Sequence, residues 1–111
     1  EAITAFVKDL KENGTFNDTL ILTFSEFGRR VKENGSKGTD HGTANNLFVI
    51  GGKLNEAGFY NSAPDLLSLD DNGDLIHQLD FRQVYATVID KWLGTDSKKV
   101  LGKDFQSLNF I

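Results

Sequence analysis

"DTLILTF", residues 18–24, is the stretch on which the fold turns. Leu20, Ile21 and Leu22 stand in a row between two threonines, and Phe24 closes the run. No polar face is left, which is the pattern of a strand buried on both sides. Upstream, residues 2–12 carry Ile3, Phe6, Val7 and Leu10 at the i, i+3, i+4, i+7 spacing of an amphipathic helix. Asn13-Gly14 stops that helix, with the glycine free to take a left-handed cap. Downstream, "LFVIGG" at 47–52 is a second candidate for a buried strand. Residues 28–46 lie between the two strands. They are rich in Gly, Asn, Ser, Thr and charge and lack periodicity, so they read as one long functional or mobile loop.

Further along, "SLDDNGDLIHQL" at 68–79 places Asn72-Gly73 between partly apolar flanks, a hairpin-turn signal. The same acids invite a calcium reading, but their order departs from the calcium-loop pattern and the distal Glu is missing. From Asp80 the chain reads as a capped helix. Phe81, Val84, Tyr85, Val88, Ile89, Trp92 and Leu93 mark one face, and Gly94 ends it. A short turn at 97–101 and an extended tail follow.

Composition narrows the class. At 111 residues the chain is a single domain or a C-terminal fragment of a larger one. Nine phenylalanines and 39% hydrophobic residues argue for a packed core rather than disorder. A formal charge of −4 speaks against nucleic acid or an anionic membrane surface as a partner held by bulk charge. With no cysteine there is neither a disulfide framework nor a thiolate zinc site. No apolar run reaches the length of a membrane span. The chain begins at Glu1 and contains no methionine, which leads us to expect a missing N-terminal part.

The chemistry-bearing residues gather in and beside the loop. Asp40 and His41, in "GTDHGTANN" (38–46), have suitable atoms for a divalent metal, and a third ligand is needed. Glu26 is the obvious third. If the two strands run antiparallel, the end of the first and the start of the second meet at one sheet edge, where Glu26 and His41 would face each other. The plainer alternative is an acid and an imidazole hydrogen-bonded locally in a polar loop. Arg29 and Arg30 have the chemistry to clamp a phosphate, sulfate or carboxylate, or else to neutralise Glu26, Glu33 or Asp40. His77 has no acid at ligand spacing and reads as structural. Ser25 lies outside any nucleophile-elbow pattern.

With these residues in view, "TLILTFSEFGRR", "GTDHGTANNLFVIGG" and "GDLIHQLDFRQVYATVIDKWLG" together resemble the C-terminal part of the domain-of-unknown-function family 1501. That family is similar to the alkaline phosphatase and sulfatase superfamily. The resemblance implies a partial alkaline-phosphatase-like α/β fold, a small mixed β-sheet with flanking helices at about 2–12 and 81–93. In metal-dependent members an Asp-His-Gly triplet ends one strand, and a later His completes a metal site. Here Glu26, Phe27 and Gly28 hold the triplet's place, and His41 corresponds to the later His. Phe27 cannot ligate.

The implied site is therefore a degenerate phosphate or sulfate ester hydrolase centre, inactive in this chain alone because the superfamily's nucleophile lies upstream. It would take zinc, calcium or magnesium in the full-length protein, on His41, Glu26 and Asp40. The resemblance also implies a periplasmic or secreted location. The competing expectation is a non-enzymatic binding or structural module whose 27–46 loop meets a protein or a glycan. A homo-oligomer is a third, since a sheet cut from a larger domain leaves apolar surface to cover.

Overall fold

A computed structural model describes residues 1–111. Helix α1 spans Ala2–Glu12, and its expected stop is observed. Gly14 takes φ +70°, Thr15 N–H donates to Leu10 O, and Gly14 N–H donates to Lys11 O. These two bonds close the helix as a Schellman motif. A 3-10 turn, Phe16–Asp18, leads into β1 (Leu20–Leu22). Strand β1 pairs antiparallel with the second apolar run, here β4 (Val49–Gly51), in the register Leu20–Gly51, Ile21–Ile50, Leu22–Val49. The end of β1 therefore meets the start of β4, as the antiparallel reading requires.

The stretch between them is not one long loop. Residues 28–46 fold back on themselves as a hairpin of β2 (Gly28–Glu33) and β3 (Thr39–Gly42). Its turn is built by Asn34, whose side-chain oxygen accepts the N–H groups of Ser36 and Gly38. The hairpin escaped the sequence reading for a physical reason. It stands largely exposed on both faces, so no apolar alternation marks its pleat. In place of the expected single mixed sheet there are two separate two-stranded antiparallel sheets, β1–β4 and β2–β3.

The Asn72-Gly73 turn forms where expected. Asp70 accepts the N–H groups of Asn72 and Asp74, and Leu69 and Leu75 face each other across it. This turn holds the hairpin in place. Asp74, only 6% exposed, takes Arg30 Nε at 3.0 Å, and Thr43 Oγ1 donates to Leu75 O at 3.1 Å.

Helix α2 (Phe81–Thr87) starts at a capping box. The Asp80 carboxylate accepts Arg82 N–H, and the Gln83 side chain accepts Asp80 N–H. The helix then widens into a π turn, Val88–Trp92, before Gly94. The expected single stripe is only partly inward. Val84 is buried, while Phe81 and Leu93 at its two ends are more than half exposed. After α3 (Ser97–Leu101) the tail returns along this helix. Asp90 accepts Ser97 N–H and the hydroxyls of Ser97 and Ser107, and these bonds hold its carboxyl below the usual carboxylate range. Thr87 Oγ1 accepts Leu108 N–H, and Lys91 Nζ donates to Leu108 O and Ile111 O.

The core is small for this length. Val84 and Ala86 are the buried hydrophobic residues, both on α2. The accessible surface is 8349 Å², where a compact monomer of 12.3 kDa exposes about 6,100 Å². The radius of gyration is 16.6 Å, against roughly 13 Å for a compact chain of this length. No helix is long and apolar enough to cross a membrane.

Candidate functional site

The hairpin decides where the loop's chemical residues point. Successive side chains of a strand leave opposite faces. Arg29 and His41 stand directly opposite each other in the β2–β3 register, and Phe27, two residues before Arg29, joins them. The Phe27 and His41 rings stack with centroids 3.7 Å apart and planes 15° from parallel. The Arg29 guanidinium lies 5.2 Å from the Phe27 ring centroid, and its Nη1 donates to Thr39 O at 2.9 Å. Stacking covers a face of the imidazole and leaves its two ring nitrogens, one donor and one acceptor in the neutral form, directed in the ring plane, where they make no hydrogen bond within the chain.

Asp40 and Arg30 follow the opposite alternation. Asp40 accepts Asn34 Nδ2 at 2.9 Å, and Arg30 pairs with Asp74. Neighbouring residues in a strand diverge, so Asp40 is separated from His41 and Arg30 from Arg29. The two arginines hold different partners rather than one shared anion. Glu26 is exposed and without a hydrogen bond, at the turn between β1 and β2. No three His, Asp or Glu side chains form a group able to hold a metal ion. Glu26, Asp40 and His41 are not brought together as such a group.

Glu26 belongs instead to a cleft of about 420 Å³ bounded by residues 24–28, 43–47 and 77–85. Its closeness depends on Gly28, which is buried. A Cβ there would lie 1.5 Å from Ala44 O, so the backbones of 28 and 44 pass too tightly for any other residue. His77, Asp80, Arg82 and Tyr85 line the same cleft. Asp80 and Arg82 satisfy each other through a two-pronged ion pair. The Arg82 hydrogen bonds draw the Asp80 carboxyl down to about 2 from 3.8, and the same pair raises Arg82.

In the sequence His77 reads as structural, Asp80 as a helix cap and Tyr85 as part of the apolar face of a helix. That they line one cleft with Glu26 had no signal in spacing, because the cleft draws on three segments far apart in sequence.

Residues 1–107 match the family described as "Protein of unknown function (DUF1501)". No curated protein and no solved structure matches the chain.

Proposed function

From the premise that the chain belongs to the DUF1501 family, we propose that it is the C-terminal part of an alkaline-phosphatase/sulfatase-like domain whose phosphate or sulfate ester hydrolase site has degenerated. The observation that carries this is the Phe27–His41 stack. The resemblance puts Phe27 where the metal-dependent proteins have a ligating histidine, and His41 where they have another. An aromatic hydrocarbon ring lies flat against the surviving imidazole and offers no donor atom. Glu26 can still supply carboxylate oxygens, and it lines the cleft beside Phe27.

Ester hydrolysis of this type needs an activated nucleophile and cations that hold the charge building on the transferring group. This chain contributes the in-plane nitrogens of His41 and the Glu26 carboxylate, and no recognisable nucleophile. Arg29 stays beside the stack, tethered to Thr39 O.

The test is elemental analysis of the full-length parent protein, with a screen against aryl phosphate and aryl sulfate esters. Substoichiometric zinc, calcium and magnesium and no turnover are expected. Restoring a donor with Phe27→His should raise zinc affinity at least tenfold over the parent protein by calorimetry. Stoichiometric metal in the unaltered protein, with turnover abolished by His41→Ala, would overturn the reading.

A further inference from the structure

The cleft at 24–28, 43–47 and 77–85 carries a second and different chemistry, and it does not depend on the hydrolase reading. Four polar residues that line it, Glu26, Asn46, His77 and Tyr85, have side chains with no hydrogen bond inside the chain. Two aromatic rings on its wall are open to solvent, Phe24 at 75% and Phe81 at 58% exposure. The geometry points to a binding site for a neutral saccharide, one ring face laid against an aromatic side chain and the hydroxyls taken by Glu26, Asn46, His77 and Tyr85.

Three features select this ligand class. A sugar hydroxyl both donates and accepts. An amide, an imidazole and a phenol do so too, and a carboxylate adds a strong acceptor. An organic cation would satisfy only the acceptors. Charge disfavours phosphorylated or sulfated ligands, because Arg82 is already neutralised by Asp80 and Glu26 is left as the uncompensated charge. Size also agrees, since about 420 Å³ holds a mono- or disaccharide.

The cleft also differs from the other open surfaces of the molecule. Ile3 and Phe6 on α1 are exposed apolar side chains that another apolar surface covers at no polar cost. An apolar partner seated in the cleft would strand four polar groups, each at a desolvation cost.

The experiment is a microarray of immobilised glycans probed with the fluorescently labelled full-length parent protein, neutral oligosaccharides beside their sulfated and phosphorylated counterparts. Binding to neutral glycans is expected, at least tenfold stronger than to the charged versions. Phe24→Ala and Glu26→Ala, both at exposed positions, should each weaken it at least fivefold, and Leu67→Ala, outside the cleft, should not. Absence of binding to every neutral glycan, preference for the charged versions, or binding unchanged in both cleft variants would each overturn the assignment.

Discussion

Gly28 shows how much one residue decides here. The missing side chain lets the β2 backbone lie against Ala44, and that contact joins the hairpin to the cleft. Gly28→Ala should force the two backbones apart and cost about 1–3 kcal/mol, read as a lower urea midpoint. Asp74 has a comparable role through charge. It is buried, and Arg30 is its cationic partner. Asp74→Ala leaves that guanidinium unpaired, for a loss of about 1.5–3 kcal/mol. Faster amide exchange in β2 and β3 would locate the damage in the hairpin. At this scale the sequence was informative about identity and silent about direction. Asp40-His41 and Arg29-Arg30 read as pairs on paper, and strand alternation sends the members of each pair to opposite faces.

Among the elements, those with local signals were legible. Helix α1 and the start of α2 follow from apolar spacing and from caps written into the chain, Asn13-Gly14 at one end and Asp80 with Gln83 at the other. The Asp80 cap yields a pH prediction. With its carboxyl at about 2 in the fold against an ordinary 3.8, the stabilisation it gives is complete above about pH 4. It is lost as pH falls toward 2. Asp80→Asn should therefore lower the thermal midpoint at pH 7 and matter little at pH 2, as calorimetry at the two pH values would show. The β2–β3 hairpin lay beyond such reading because its polar, two-sided exposure erases the period-two pattern. The π turn at Val88–Trp92 likewise has no mark in a stripe that continues at helical spacing through Leu93.

For the whole molecule, the accessible surface exceeds that of a compact monomer of its mass by roughly 2,000 Å². Away from the cleft, Phe48, Phe59 and Leu67 are all more than half exposed. Surface of this size and character is ordinarily covered in an obligate assembly. The isolated chain should therefore sediment above 12.3 kDa at micromolar concentration and enhance the fluorescence of a hydrophobic dye. A monodisperse monomer without dye binding would count against association. The sequence by itself determined the α1 and α2 helices, the pairing-competent apolar runs that became β1 and β4, and the Asn72-Gly73 turn, because each depends on residues close together in the chain. Only the tertiary structure decided that Phe27 stacks on His41, that Arg30 belongs to Asp74, and that Glu26, His77 and Tyr85 line one cleft. Those contacts join residues whose separation in sequence carries no periodic signal, and packing alone brings them together.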